Sequence, residues 1–378
     1  MSAGVGTPLE RVLAQPLIMG LFLPLQSGAW NTTTLARGTD WRFPYNAQCT
    51  IRAEELGFDL VFGLAQWLGK NGYGGEMAFR EYAMDPLMVT AGLSSVTKRI
   101  LLISTVHVLY GWHPLQLAKL GATLDQMSGG RWGINVVTGY KPSELNMFGL
   151  PAIEHDQRYE IAEEFVMLME RLWREPENLS YDGKFWSLEE AYVSPKPLAR
   201  KCIMVSAGSS PAGIAYAARH TDLMFITSPA GAEPSDALAS LPEHTANIKA
   251  AGRALGRDLK LIIHPMVLCR DTESEARKLA DQIIEHTDKV ATDNFLRPFE
   301  QGDQSSWKGF KRDSAVLGGN VNLVGTPSQV VDWFIAAKAA GCDGVQISFF
   351  DFLPDLEHFG NKVLPMMIEA GLREKIEA

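Results

Sequence analysis

Eight short apolar segments alternate with helical segments along this chain, and this alternation limits its possible folds more than any other feature. The apolar segments are rich in Leu, Ile, Val and Phe, which is typical of strands buried on both faces of a parallel sheet. We predict strands at residues 17–25, 58–64, 99–109, 132–137, 201–207, 222–227, 259–269 and 344–350. No second compositional block interrupts the 378 residues, so we expect one domain, residues 1–378, folded as an α/β (β/α)8 TIM barrel with insertions. A doubly wound sheet is the alternative, but such sheets rarely contain eight of these units.

The segments between the strands contain helical patterns and two insertions. Apolar periodicity and end signals predict helices at residues 47–56, 85–97, 114–127, 157–173, 273–290, 328–340 and 356–370. Residues 179–192, with Asp182-Gly183 as a turn, predict a β-hairpin. Residues 291–322 are polar and irregular, and we interpret them as an insertion or mobile lid.

Charge and cysteine content exclude several classes of protein. The formal net charge is −9 without a basic block, which argues against nucleic acid as a partner. No apolar run approaches the roughly 20 residues that span a bilayer, and the N-terminus lacks the features of a signal peptide. The four cysteines lie far apart without a CxxC pair, so neither a disulfide framework nor a zinc site is indicated. We therefore expect a cytoplasmic protein without a membrane span.

The fourth predicted strand carries an unusual polar residue. Asn135 interrupts an otherwise apolar segment, and a buried carboxamide without partners is costly. The loop that follows lies at the carboxyl end of the strand, where barrels carry their active sites. The other polar residues expected at this end of the barrel are Gln66, Trp67, Thr105, His107, Glu144, Ser209, Ser210, Ser348 and Asp351. This predicted mouth contains few charges, and no His, Asp, Glu or Cys spacing in the chain indicates a metal site.

Two features indicate an anion site. Ser209 and Ser210 precede a predicted helix, whose free N–H groups and dipole favour a phosphate, although the pair can equally be a plain helix cap. Arg158 stands at the start of another helix, where the dipole disfavours a cation, so a ligand phosphate is a better partner. Tyr159 can stack on an aromatic ligand or pack within its own helix layer. His107 shares a strand face with Thr105 and is either functional or a hydrogen-bonded core residue.

Several motifs resemble those of the bacterial-luciferase-like flavin-dependent monooxygenases. The run TLDQMSGGRWGINVVTG at residues 123–139 is similar to the family signature, and EHDQRY at 154–159, AGSS at 207–210 and VGTP at 324–327 follow in the same order. The resemblance covers roughly residues 17–371. GYGG at 72–75, NVVTGY at 135–140 and SFFDF at 348–352 resemble the pyrimidine monooxygenases most and the dimethylsulfone and alkanesulfonate monooxygenases slightly less.

The resemblance implies an activity, a cofactor and partners. It implies a luciferase-like TIM barrel that uses O2 and FMNH2, with the reduced flavin supplied by a separate NAD(P)H-dependent flavin reductase. No GxGxxG motif follows the first strand, which agrees with this arrangement. The implied substrate is a small organic molecule, first an N-heterocycle with a pyrimidine-like amide, with a sulfone or alkanesulfonate as the alternative. Relatives commonly form dimers or tetramers. A deazaflavin (F420)-dependent dehydrogenase and a non-catalytic flavin-binding protein are the rival functions.

The resemblance also assigns roles to residues. Thr105 and Asn135 match positions that hold O2 beside the flavin, and we add His107 as a third catalytic candidate. The cofactor-binding candidates are Gln66, Asn135, Glu144, Arg158, Tyr159, Ser209 and Ser210. The substrate-pocket candidates are Trp67, Tyr140, Phe350 and Asp351. The chain departs from the resembled enzymes at Gln66, where they have a basic residue, and at Tyr140, where they have a Trp.

Overall fold

The computed structural model describes residues 6–139, 141–301, 312–319 and 321–374, and it contains a closed parallel barrel. The strands, in chain order, are β1 Ile18–Phe22, β2 Leu60–Gly63, β3 Leu101–His107, β4 Trp132–Val137, β5 Leu179–Asp182, β6 Ser187–Ala191, β7 Ile203–Ser206, β8 Leu223–Ile226, β9 Lys260–Ile263, β10 Pro265–Cys269, β11 Val321–Gly325 and β12 Gly344–Phe349.

The sheet closes on itself. Its order is β1-β2-β3-β4-β7-β8-β9-β12, and β12 pairs in parallel with β1 through Ile18 and Gly344. This closure confirms the predicted (β/α)8 barrel, because a doubly wound sheet keeps two open edges. β5 and β6 form the predicted antiparallel hairpin outside the barrel.

Helices surround the barrel between successive strands. They are α1 Pro8–Leu13, α2 Phe43–Glu55, α3 Pro86–Ser94, α4 Pro114–Ser128, α5 Pro142–Met147, α6 His155–Arg174, α7 Pro211–His220, α8 Pro234–Ala254, α9 Glu273–Glu285, α10 Lys289–Gln301, α11 Arg312–Val316, α12 Pro327–Ala339, α13 Phe352–His358 and α14 Leu364–Glu369, with a π-helical turn at Phe359–Val363. Proline in the first turn and a capping Thr, Ser or Asp begin several of them, as at Thr326 of α12. Among the described residues, no helix has the length and apolarity needed to cross a membrane.

Aromatic side chains fill the interior of the barrel below its mouth. Phe62 lies 4.6 Å from both Phe22 and Phe225, measured between ring centroids. β2 and β8 stand four strands apart in the ring of eight, so Phe62 and Phe225 meet across the barrel axis. These three residues, named here the aromatic floor, close the barrel, and the polar positions further along the strands lie above them.

The seventh predicted strand is divided in two. Residues 259–269 were expected to form one strand, but it breaks at His264 into β9 and β10. β9 pairs with the beginning of β12, whereas β10 pairs with its end, through Ser348 and Phe349, and with β11 on its other side. The chain therefore bends at His264, at the carboxyl end of the barrel.

The irregular structure predicted for residues 291–322 is wrong for the part of this segment that the structure describes, while its interpretation as an insertion stays a prediction. Residues 291–301 belong to α10, residues 312–316 form α11, and β11 begins at residue 321. Ala291 and Phe295 of α10 are buried, because α10 packs one apolar side onto the loop after β2. Residues 302–311 and 320 lie outside the described residues, and the predicted mobility of the segment stays a prediction.

A buried ion pair holds the end of the chain against the amino end of the barrel. Arg373 and Asp59 are 4% and 8% exposed, and Arg373 Nη2 donates to Asp59 Oδ1 at 3.0 Å. Arg373 also donates to the carbonyls of Leu17 and Gly57, while Asp59 accepts from the Met19 N–H at 2.7 Å. Burial raises the pKa of Asp59 above its usual value, and the Arg373 guanidinium opposes this rise.

Replacing Arg373 with Met should lower the free energy of unfolding by about 3–5 kcal/mol, because Asp59 then stays buried without its partner. The measurement is urea-induced unfolding followed by circular dichroism. Arg277→Met is the matched control, since Arg277 pairs with Glu273 on the exposed side of α9. This substitution should change the free energy of unfolding far less, because an exposed ion pair contributes little. Equal costs for both variants would contradict this account.

The pH dependence provides a second readout of the same pair. A buried carboxyl with a raised folded-state pKa lowers the free energy of unfolding of the protein once the pH rises above the unfolded-state pKa of that carboxyl, which is about 3.9. The deficit of Arg373→Met should therefore be full near neutral pH and should shrink as the pH falls towards about 4.

Candidate active site

Thr105 and Asn135 form a pair inside the barrel mouth. They lie in register on β3 and β4, and Asn135 Nδ2 donates to Thr105 Oγ1 at 3.1 Å. Each residue is 2% exposed. Asn135 Oδ1 is buried and has no hydrogen-bond partner among the described residues. The pair therefore presents an unused acceptor in a dry environment.

The alternation of the strands explains why this pair faces inward. A Cβ at Gly133, two residues before Asn135, would contact Ile103 and Ile203 inside the barrel. Ser104, next to Thr105, points outward instead, because its hydroxyl lies 2.7 Å from the Thr90 hydroxyl of α3. Successive strand residues face opposite sides, so Asn135 and Thr105 share the interior.

His107 and Glu144 lie in a buried network beside this pair. Glu144 is 1% exposed and accepts from the Tyr110 hydroxyl at 2.8 Å and from Lys141 Nζ at 3.1 Å. The His107 ring lies 4.7 Å from the Tyr110 ring. Burial lowers the pKa of His107 to about 4, so its imidazole is neutral at pH 7. Its Nδ1 atom is buried and unpartnered in the part of the chain that the structure describes.

Tyr159 and Ser210 meet at the amino end of α7. Ser210 caps the helix by accepting from the Gly213 N–H at 3.1 Å, and its Oγ lies 3.5 Å from the Tyr159 hydroxyl. A Cβ at Gly208 or Gly213 would approach that hydroxyl to 2.7 Å, so glycine is required at both positions. Ser209 directly precedes the cap. The amino end of this ten-residue helix thus combines two hydroxyl groups with the favourable end of the dipole.

Arg158 connects α6 to the loop after β4. Its Nη1 donates to the Gly139 carbonyl at 3.0 Å. Its Nε is buried, and no described residue accepts a hydrogen bond from it. Arg158 and Tyr159 are consecutive in the first turn of α6, so this turn contacts both the loop after β4, through Arg158, and the start of α7, through Tyr159.

Gln66 has a cationic neighbour that the sequence did not indicate. Gln66 Oε1 accepts from Arg80 Nη1 at 3.1 Å, while Gln66 Nε2 is buried without a partner among the residues described. Arg80 is 5% exposed and donates from Nε to the Ala29 carbonyl, and its guanidinium lies 4.9 Å from the Trp30 ring. Arg80, from later in the same loop, therefore places a cation beside Gln66. Arg80 is the one Arg between residues 64 and 85, which is the signal that could have identified it.

The predicted substrate-pocket residues are distributed over different places. Trp67 is 44% exposed, lies edge-on to Phe148 at 5.0 Å, and lines a cavity of about 160 Å³ with Gln66 and Arg80. Tyr140 lies outside the described residues. The role of Trp67 in substrate binding stays a prediction.

Phe350 and Asp351 are not brought into the cluster around Thr105. Phe350 packs in a separate apolar cluster with Leu268 and Val316. Asp351 accepts hydrogen bonds from the Gly38 N–H at 3.1 Å and the Thr39 hydroxyl at 3.2 Å. Asp351 therefore fastens the long loop after β1, and its contact with a substrate stays a prediction.

A second buried polar pair lies at the bend of the seventh strand, and the sequence did not identify it. His264 Nε2 lies 2.8 Å from Ser348 Oγ, and the His264 ring is 4.9 Å from Phe22 and 5.8 Å from Trp30. Burial lowers the pKa of His264 to about 3, so this imidazole is also neutral. The sequence predicted one strand across residues 259–269, and only the observed break between β9 and β10 draws attention to His264, because the apolar pattern continues on both sides of it.

Comparison with known proteins places the chain among flavin enzymes. The chain is 30% identical to the FMNH2-dependent dimethylsulfone monooxygenase of Pseudomonas putida, over 94% of this chain and 97% of that protein. It is 29% identical to the pyrimidine monooxygenase RutA of a Bradyrhizobium species, over 94% of this chain and 98% of that protein.

Solved structures share the fold. The riboflavin lyase RcaE, solved with modified FMN and riboflavin, superposes with a TM-score of 0.81 at 24% identity, covering 95% of this chain and 92% of its own. DmoA from Hyphomicrobium sulfonivorans superposes with a TM-score of 0.81 at 19% identity, covering 96% of this chain and 90% of its own. A family model described as luciferase-like monooxygenase matches residues 18–344. With that match, and with 30% identity to a curated relative over nearly its whole length, the chain belongs to the luciferase-like monooxygenase family.

Proposed function

We propose that this protein is a two-component monooxygenase that binds FMNH2 and O2 in the barrel mouth and oxygenates a small organic substrate. The observation that carries the proposal is a set of buried, unpartnered polar atoms at the predicted site. Among the described residues, these include Gln66 Nε2, His107 Nδ1, Asn135 Oδ1 and Arg158 Nε. Each position was a site candidate on sequence grounds.

These atoms fit FMN. A buried polar atom without a partner costs about 1–3 kcal/mol, so a cluster of such atoms indicates a site built for a ligand. The flavin ring offers both N–H donors and carbonyl acceptors, which match the amide groups of Gln66 and Asn135. Arg158 offers a charged donor for the phosphate. The hydroxyls of Tyr159 and Ser210, which meet at the start of α7, offer neutral donors. Glu144 is engaged by Tyr110 and Lys141, which supports a role in holding the loop after β4 in place around the cofactor.

Reduced FMN, when bound, supplies the electrons for O2 activation. Thr105 Oγ1 accepts from Asn135 Nδ2, which leaves the Thr105 hydroxyl proton and the second N–H of Asn135 Nδ2 to orient O2. These two donors stabilise negative charge that develops on oxygen, as donors in an oxyanion hole do. His107 is neutral, so it exchanges hydrogen bonds with a ligand at its Nδ1 atom, unpartnered among the described residues, without placing a resident positive charge in the site. The aromatic floor excludes water from below, which favours oxygen transfer over loss of the activated oxygen to water.

Partners and location follow from the same proposal. A separate NAD(P)H-dependent flavin reductase delivers the reduced cofactor, and a homodimer or homotetramer is the expected assembly. The four cysteines are all free and buried, which supports a location in the reducing cytoplasm. An N-heterocyclic amide and a sulfone are both supported as substrates by relatives of nearly equal identity, 29% and 30%.

Coupled turnover is the direct test of this function. The protein, mixed with FMN, a flavin reductase, NAD(P)H and O2, should consume O2 faster with uracil or dimethyl sulfone, and one atom of ¹⁸O2 should appear in the product. The control omits the reductase. Hydrogen peroxide as the sole product across a wide panel of heterocycles and sulfones would argue against the proposal, and anaerobic turnover with a deazaflavin would favour a dehydrogenase.

Arg158→Ala should weaken FMNH2 binding by about 1.5–3 kcal/mol, the range for a hydrogen bond to a charged group, which is roughly tenfold to a hundredfold in Kd. Anaerobic fluorescence titration measures it. Arg171→Ala is the matched control, because Arg171 is on the same helix but pairs with Glu175. An unchanged Kd for Arg158→Ala would remove this residue from the phosphate site.

Thr105→Val should lower kcat by about 100- to 1000-fold, the effect of removing one donor from an oxyanion hole, and should leave the Kd for FMNH2 nearly unchanged. Stopped-flow measurement of product formation with O2 tests this. Ser104→Ala is the control, because the Ser104 hydroxyl faces α3 on the outside of the barrel. If both variants turn over like the wild type, Thr105 does not position oxygen.

A further inference from the structure

We propose that His264 and Ser348 recognise the substrate, and that His264 Nδ1 accepts a hydrogen bond from an N–H group of a small heterocycle such as a lactam or cyclic imide. This inference rests on the proposed function, because it assigns the substrate side of the same mouth.

The barrel order places this pair directly opposite the proposed oxygen site. In the ring of eight strands, β9 is four strands from β3, and β12 is four strands from β4. His264, at the end of β9, therefore lies on the side of the mouth opposite Thr105, and Ser348 of β12 lies on the side opposite Asn135. A substrate bound by His264 and Ser348 would therefore lie across the mouth from Thr105 and Asn135.

Thr105 and His264 stand at a similar height above the aromatic floor. Ile103 is in register with Phe62, and Thr105 is the next inward position on the same strand. Ile262 is in register with Phe225, and His264 follows it by two residues. His264 also contacts the floor, since its ring lies 4.9 Å from that of Phe22. A planar ring resting on the floor would thus lie beside the imidazole.

The contacts of Ser348 determine which nitrogen of His264 carries the proton. Ser348 is fully buried, and its hydroxyl lies 2.8 Å from His264 Nε2 and 3.8 Å from Met266 Sδ. A thioether sulfur can only accept, so both contacts are hydrogen bonds only if Ser348 donates to Met266 and accepts from the Nε2–H of His264. A neutral imidazole protonated at Nε2 has a lone pair at Nδ1.

That lone pair is left for a ligand. No described residue makes a hydrogen bond to His264 Nδ1. His264 is 7% exposed whereas Ser348 is not exposed, so the imidazole is the member of the pair that a molecule in the mouth can reach. Burial keeps the ring neutral by lowering its pKa to about 3. A neutral acceptor selects substrates that carry a donor, which a cyclic amide has and a dialkyl sulfone lacks.

Binding of matched probes to the FMN-loaded protein tests this inference. Isothermal titration calorimetry compares uracil, which has two ring N–H groups, with 1,3-dimethyluracil and dimethyl sulfone, which have none. Uracil should bind at least about tenfold more tightly than either, the scale of one buried hydrogen bond left unmade. Equal affinity for uracil and 1,3-dimethyluracil, or no measurable binding of uracil, would overturn the inference.

Variants separate hydrogen bonding from shape. His264→Phe keeps an aromatic ring but removes the acceptor, so it should lower uracil affinity about tenfold and reduce the preference over 1,3-dimethyluracil to near unity. Ser348→Ala removes the hydroxyl that keeps the proton on His264 Nε2. It should therefore reduce the preference for uracil over 1,3-dimethyluracil without abolishing uracil binding. His244→Phe is the control, since His244 lies in α8 outside the barrel and its Nε2 also lacks a partner among the described residues. Persistence of the full preference in His264→Phe would contradict the assignment.

Flavin binding distinguishes the two possible failures. If the wild-type protein binds FMNH2 and consumes O2 but does not prefer the N–H probe, this inference fails and the proposed function stands. If the protein binds no flavin, the proposed function itself fails. Thermal unfolding of each variant confirms that a lost preference does not reflect a lost fold.

Discussion

Pairing between β1 and β12 is the interaction on which the rest of this structure depends. It joins the first and last strands of the barrel, which are more than 300 residues apart in sequence, through Ile18 and Gly344. Because all eight barrel strands are parallel, closure gathers their carboxyl ends at one rim. Thr105, Asn135 and Ser348, from three different strands, face a common interior only for this reason. An open sheet with the same strands would place these residues along an edge instead of around a mouth.

The two ends of the barrel differ in how well their polar groups are satisfied. At the amino end, the Arg131 guanidinium donates to the Thr97 hydroxyl and to the carbonyls of Ile100 and Ser94, and Arg373 is paired with Asp59. At the carboxyl end, Asn135 Oδ1 and Arg158 Nε are buried without partners among the described residues. Each such atom costs roughly 1–3 kcal/mol. The paired groups at the amino end stabilise the fold. The unpartnered atoms at the carboxyl end are ones whose hydrogen bonds a bound ligand would complete.

Predictions from the sequence succeeded where the pattern was local. β4 begins and ends where its apolar run does, at Trp132 and Val137, because a strand buried on both faces needs a continuous apolar segment. The prediction failed at residue 264, since a bend between two strands leaves the apolar pattern intact. It also failed for α10 and β11, because a polar segment with Gly and Ser resembles a loop when the surface that it packs against is unknown.

The sequence by itself determined the alternation of strands and helices, and it identified Thr105, Asn135, Arg158 and Ser210 as residues at the carboxyl ends of strands or the starts of helices. These properties depend on neighbours within a few residues, through strand alternation, helix periodicity and capping. Only the tertiary structure decided that Arg80 stands beside Gln66, that Asp351 fastens the loop after β1, and that His264 pairs with Ser348 from 84 residues away. Those contacts depend on strand register and on closure of the sheet, and no short stretch of sequence specifies either.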